Sequence, residues 1–164
     1  MRILIVSDSH GRIAPALHKA RELGELSLLL HLGDHGEDGE QMAQALKIPC
    51  RCIQGNCDLG SGLPEEMRLP LPGNGWLMAC HGHRYGVKYT LDRLFYRAME
   101  QDVKVALFGH THRRYLQWEG GILLLNPGSC AQPADGECSM ALLDVDRDHF
   151  EAHHIFLEEI PDGE

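Results

Sequence analysis

Five short apolar runs, each ending at a turn-forming residue next to Asp, His or Asn, constrain this chain more than any other feature. They read ILIVSDSHG (Asp8, His10), LLLHLGDHG (Asp34), CIQGNCD (Asn56), LMACHGH (His81, His83) and ALFGHTH (His110, His112). An apolar run of about 4 to 8 residues that stops at Gly or Asp reads as a buried strand entering a loop. The metal-binding residue types should therefore gather at strand ends, along one rim of a sheet.

The first half alternates strand and helix. A strand over 2–7 precedes a helix over 13–23, where Ile13, Ala16, Leu17, Ala20 and Leu23 form one apolar stripe. A strand over 26–32, a helix near 38–47 carrying Met42, Ala45 and Leu46, and a strand over 49–54 follow, then a Gly-rich loop over 55–64. This βαβαβ order implies parallel pairing and right-handed crossovers. In the second half, 65–71 and 75–80 read as strands and 88–100 as a helix with Leu91, Leu94, Phe95, Ala98 and Met99 on one face. Strands at 103–108, 114–119, 121–125, 138–144 and 149–157 come at short intervals. The connections Glu119-Gly120-Gly121 and Asp146-Arg147-Asp148 suggest antiparallel hairpins. Such a chain can form two stacked sheets with helices outside. No linker divides it, so residues 1–164 are expected to form one domain, with the terminal IPDGE as a short loose end.

Bulk properties exclude several functions. The longest apolar stretch, Leu28 to Leu32, already contains His31, so no membrane span is expected. MRILIV enters a strand without the pattern of a secretory signal, which points to the cytoplasm. A formal net charge of −9 argues against stable nucleic-acid binding through a basic surface. It does not exclude a small anionic substrate, because bound metal ions can supply local positive charge. The six cysteines contain no CxxC pair, and a chain with this much core needs no disulfide framework.

Asp8 and His10 are two residues apart, as are His110 and His112. In extended backbone each pair would point one way and could bind one ion. Oxygen and nitrogen donors of intermediate hardness suit Mn, Fe, Co, Ni or Zn better than Ca or Mg. Asp8, His10, Asp34, Asn56, His81, His110 and His112 are too many ligands for one tetrahedral ion. They fit two ions sharing a carboxylate, roughly 3.5–4 Å apart in typical two-metal hydrolases. Two divalent ions, two carboxylates and a hydroxide leave about one unit of positive charge, which favours a phosphate.

The set DSH, GD, GNCD, HGH and GHTH, followed by NPGS, resembles the calcineurin-like metallophosphoesterase superfamily, and within it the small YfcE-like phosphodiesterases. The likeness runs from residue 3 to about residue 130. It implies a four-layer αββα sandwich of two mixed sheets flanked by helices. It also implies a dinuclear centre whose bridging hydroxide attacks small phosphodiesters or nucleotide derivatives, with Mn the leading metal. By this resemblance Asp8, His10, Asp34 and His112 hold one ion, and Asp34, Asn56, His81 and His110 the other. Asn56, Asp58, His81 and His110 are the catalytic candidates. A homo-oligomer is a further implication. A phosphomonoesterase or phosphoprotein phosphatase could use the same metals, and the retromer scaffold subunit has a similar fold but binds protein.

Many relatives carry His directly after the Asn, where this chain has Cys57. A neutral thiol is a poor proton donor near pH 7. His35 and His83 could replace that acid, against the plainer reading of loop histidines bonded at the surface. Asp58 is assigned an orienting role. Cys57, Arg12 and Arg84 are weak candidates for substrate contact, and Arg113 lies equally near the ligands. Asn126-Pro127-Gly128-Ser129 reads as a turn holding the GHTH loop. Loops 35–40, 57–64 and 84–90 are expected to set specificity. His18, His149, His153 and His154 receive no role.

Overall fold

The computed structural model describes residues 1–73 and 75–159. IPDGE lies outside the described residues. The first half forms β1 (Arg2–Val6), α1 (Ala14–Ala20), β2 (Leu28–His31), α2 (Gly36–Leu46) and β3 (Cys50–Cys52). β2 pairs in parallel with both β1 and β3, as the βαβαβ order requires. The second half forms β4 (Glu66–Leu71), β5 (Gly75–Cys80), a 3-10 turn (His83–Tyr85), α3 (Asp92–Glu100), β6 (Val105–Leu107), β7 (Arg114–Glu119), β8 (Ile122–Pro127), β9 (Ser139–Asp146) and β10 (His149–Phe156).

These strands make two mixed sheets, β10-β9-β1-β2-β3 and β4-β5-β6-β8-β7. Both expected hairpins form. Glu119 faces Ile122 across the β7–β8 turn, and Asp146 faces His149 across the β9–β10 turn. Gly120 and Gly121 both take positive φ (54° and 80°), the mirror-image turn that matches strand twist. The second half is less antiparallel than its short connections suggest, because β6 runs parallel to both β5 and β8. α3 supplies the crossover from β5 to β6. β7 then goes to the sheet edge, so its hairpin partner β8 lands beside β6.

Two helices are shorter than their apolar stripes. α1 gives way after Ala20 to tighter bonds, Glu22 N to Lys19 O (3.0 Å) and Leu23 N to Ala20 O (3.2 Å). α3 begins at Asp92 because Gly86 O accepts both Tyr89 N (3.0 Å) and Thr90 N (3.2 Å), which keeps that segment in turns. α2 starts earlier than expected, at Gly36.

Strand alternation builds the layers. Ile3, Ile5, Leu28 and Leu30 face Leu77, Ala79, Val105, Leu107, Leu123 and Leu125 of the other sheet. The alternate residues Leu4, Val6 and Leu29 pack on Ala16, Ala20 and Met42 of the helices. On the other side Met78, Cys80, Ala106 and Leu124 pack on Leu94 and Ala98 of α3. Strands buried on both faces explain the continuous apolar runs. All six cysteines are free thiols. No helix among the described residues is long and apolar enough to cross a membrane.

Ile5 is fully buried between the sheets. Ile5→Ala should cost about 2–5 kcal/mol, read by urea denaturation with excess chelator. An unchanged midpoint would place Ile5 outside the core.

Candidate metal centre

β1, β2 and β3 end on the same rim as β5 and β6 of the other sheet, and the loops are laced together there. Asp8 N donates to Gly33 O (3.0 Å), Gly109 N to His81 O (2.8 Å) and His110 N to the Asp8 carboxylate (3.1 Å). This rim of an α/β sheet is where ligands are expected.

The donor arithmetic defines the site. His81 Nδ1 lies 2.7 Å from Leu32 O, a carbonyl that can only accept, so Nδ1 carries the hydrogen. His81 Nε2 then faces Asn56 Oδ1 at 3.0 Å, Asp34 Oδ2 at 3.4 Å and Asp8 Oδ1 at 3.7 Å. His112 repeats the arrangement, with Nδ1 donating to Gln132 O (2.6 Å) and Nε2 facing Asp8 Oδ1 at 3.2 Å. Acceptors facing acceptors in a buried site need a cation between them, either a proton on the ring or a metal ion. Buried Asp8 Oδ1 and His10 Nε2 have no hydrogen-bond partner among the described residues. Ligand atoms of Asp8, His10, Asp34 and His112 all lie within 4.8 Å of one another. This arrangement fits a divalent metal ion. Beside it, the His110 ring lies 5.1 Å from that of His81, centroid to centroid.

Titration follows the same forces. Burial alone would raise the Asp34 carboxyl, but the His81 hydrogen bond and charge, with the Cys57 N–H (2.9 Å), hold it well below the usual carboxylate range. Burial opposes protonation of His81, yet the carboxylates of Asp34 and Asp8 raise its pKa. Asp8 likewise raises His112. His110 is pushed down to about 4, first by burial, then by the charges of His81 and Lys88.

The ligand loops are not extended. Asp8 (φ 56°), His10 (47°), Asp34 (57°), His110 (71°) and His112 (56°) all have left-handed backbone. This overturns the expectation that residues two apart converge because they are extended. Left-handed turns bend the loops back, at a cost of order 1–3 kcal/mol each. Glycines permit the close approach. A Cβ on Gly55 would collide with the backbone N and carboxylate of Asp34, and one on Gly109 with the Ser7 hydroxyl.

Other sequence candidates fall around this cluster. The Asp58 carboxylate accepts His35 N (2.8 Å) and Gly55 N (2.9 Å), joining the loops that carry Asp34 and Asn56. Cys57 is exposed, and burial with the Asp34 charge raises its thiol pKa, so it stays neutral. Arg84 is paired with Glu65, and exposed Arg12 lies where its charge reaches Cys138. Neither guanidinium is paired to a ligand residue. The His83 ring lies tilted beside those of His81 and His110 (5.3 and 5.9 Å between centroids), its buried Nδ1 without a partner among the described residues. The His35 ring lies 5.6 Å from that of His10. Asn126 Nδ2 donates to Gly109 O (3.1 Å) and Thr111 Oγ1 (3.0 Å), so the NPGS turn holds the GHTH loop as expected. Ser129 Oγ donates to Asp8 O (2.9 Å).

Sequence reasoning missed two supports. His31 Nδ1 accepts Gly33 N–H (3.2 Å), so its Nε2–H donates to Ser9 Oγ (2.8 Å), which donates to Asp38 (2.6 Å). Burial pushes His31 down to about 4, consistent with a neutral ring. The signal was a histidine inside an apolar run, which must find a partner. His154, given no role, donates to Asn126 O (2.7 Å) from β10; nothing local in sequence marks that contact.

Two mixed sheets between helices, with Asp, His and Asn gathered where five strands end, are the architecture of a metallophosphoesterase. The chain belongs to the calcineurin-like phosphoesterase superfamily, whose domain matches residues 1–148. It is 36% identical to the probable metallophosphoesterase YsnB of Bacillus subtilis, over 81% of this chain and 77% of that protein. It is 29% identical to the phosphodiesterase YfcE of Escherichia coli K12, over 89% of each. A conserved uncharacterized protein of Streptococcus pneumoniae TIGR4, a predicted phosphoesterase, superposes with TM-score 0.78 at 29% identity, covering 98% of this chain and 93% of that one.

A raised His81 pKa adds stability that is complete below its ordinary value, about 6.5, and is lost as pH rises through the raised value. In excess chelator, the stability difference between the protein and His81→Gln should therefore shrink as pH rises from about 6 through the alkaline range. A difference constant across that range would contradict the ion-pair reading.

Proposed function

We propose that the chain is a dinuclear metal-dependent phosphodiesterase acting on small phosphodiesters. The observation that carries this reading is the pair of imidazole Nε2 atoms, His81 and His112, aimed at carboxylate oxygens while their Nδ1–H groups are held by carbonyls. Asp8, His10, Asp34 and His112 would hold the first ion, and Asp34, Asn56, His81 and His110 the second, with Asp34 common to both sets. Mn is the leading candidate, and Ni, Fe, Co and Zn also suit the mixed oxygen and nitrogen donors. Two such ions, when bound, supply Lewis acidity to the phosphoryl group and acidify water near neutral pH.

The chain's own residues then orient and neutralise. Asn56, His81 and His110 line the face where charge develops on the phosphoryl oxygens. His110, pushed down to about 4, is neutral at pH 7 and free to coordinate. Asp58 positions the Asp34 and Asn56 loops through their backbone N–H groups. Hydrolysis breaks one ester P–O bond, and the departing alkoxide needs a proton. The neutral Cys57 thiol is a weak donor, so esters with good leaving groups should turn over best. The formal charge of −9 favours a small substrate over long nucleic acid. Six free thiols support a reducing, cytoplasmic setting.

The Mn-loaded protein should hydrolyse bis-p-nitrophenyl phosphate in preference to p-nitrophenyl phosphate, and chelation should stop it. A clear preference for the monoester would overturn the diesterase assignment. Asp34→Ala should lose both bound metal and activity, measured by elemental analysis and turnover. Loss of a true general acid costs on the order of 10²-fold or more; Cys57→Ala should cost far less, and an equal loss would make Cys57 the missing acid.

A further inference from the structure

Two cavities border the ligand cluster, and they differ in how their charges are used. One, of about 580 Å³, is lined by Glu65, Glu66, His83, Arg84, Tyr85 and Arg97, among others. Its charges are largely committed to one another: Arg84 pairs with Glu65, Arg97 with Glu66 (2.9 Å), and the Tyr85 hydroxyl bonds Glu66. The other, of about 540 Å³, includes Lys88, Tyr89, Phe108, Thr111, Arg113 and Tyr115 in its wall, and no acidic residue among the described residues. Lys88 and Arg113 make no ion pair among the described residues, while Arg114, also in the wall, is paired with Asp135 (2.8 Å). On a chain of formal charge −9, two uncommitted cations in one acid-free cavity are a local reversal of sign.

This second cavity opens beside the metal ligands. Thr111 in its wall lies between His110 and His112, and Lys88 is near enough for its charge to act on His110. The wall is also aromatic. Phe108 and Tyr115 pack as a tilted pair within it (6.0 Å between centroids). Tyr89 at the rim is 93% exposed, so its ring serves no core. Exposed aromatic faces beside basic groups are a recurrent platform for nucleobases and their phosphates.

We propose that this cavity is a nucleotide subsite for the part of the substrate beyond the scissile phosphate. It would take a nucleoside that carries a second phosphate, with the base on Tyr89 and that phosphate on Lys88 and Arg113. The inference rests on the phosphodiesterase reading and narrows its substrate class. It also explains how an acidic chain without a basic surface can select an anionic substrate: the cations are few and placed at one mouth of the site.

Binding and turnover separate the two ideas. Calorimetry on the Mn-loaded protein compares thymidine 3′,5′-bisphosphate with thymidine 5′-monophosphate. The bisphosphate should bind about tenfold tighter or better, as two charge-assisted contacts allow. Lys88→Ala/Arg113→Ala should remove that gap while leaving monophosphate affinity within about twofold, well inside the tenfold that one such contact is worth. Tyr89→Ser should weaken both nucleotides by about fivefold or more, the loss of one stacked base. Equal affinities in the unmodified protein, a gap that survives the double substitution, or undetectable binding of both nucleotides would each overturn the subsite. Failure of the unmodified Mn-loaded protein to hydrolyse bis-p-nitrophenyl phosphate would overturn the phosphodiesterase reading instead, and the binding gap would still decide the cavity's role.

Discussion

The rim of this protein depends on the attraction between two buried carboxylates, Asp8 and Asp34, and positive charge held among imidazoles. Each carboxylate has one oxygen satisfied by protein donors, Ser7 and His110 N for Asp8 and Cys57 N for Asp34. The other oxygen of each faces imidazole nitrogens. In water these charges would be solvated at little cost. Inside the rim they are stable only with a cation, either a proton on an imidazole or a metal ion, and the donor set suits a divalent metal ion.

That arrangement is held by groups outside the cluster. Leu32 O and Gln132 O fix the tautomers of His81 and His112. Asp58 binds two ligand loops by their amides, and Asn126 and Ser129 bind the loops of the opposite sheet to the β1 end. His31, Ser9 and Asp38 form a buried chain that ties the DSH loop to the start of α2. Five candidate ligands in left-handed backbone carry strain that only such bracing can sustain. The same bracing leaves Lys88 and Arg113 outside it, where they can meet a ligand.

Much of this was legible in sequence. The apolar runs of β1, β2, β5 and β6 place strands correctly because burial on both faces demands continuous apolar sequence. The hairpins at Gly120-Gly121 and Arg147-Asp148 were legible from turn chemistry. Helix ends were less so. The start of α3 was set by bonds to Gly86 O that compete with the apolar stripe. The parallel β5-β6-β8 arrangement was hidden because short connections look like hairpins whichever neighbour a strand finally chooses.

For the site, the sequence by itself determined the donor chemistry. Carboxylate, imidazole and amide groups at five strand ends are a property of residue type and local period, and both are written along the chain. Only the tertiary structure decided which oxygens lack a donor, which imidazole nitrogen is left with its lone pair, and which arginines are already paired. Those outcomes join Asp8 to His112, Leu32 to His81 and Asn126 to His154, contacts between residues far apart in the chain. Local sequence carries no record of such contacts, because they arise only when the two sheets stack and bring their strand ends to one rim.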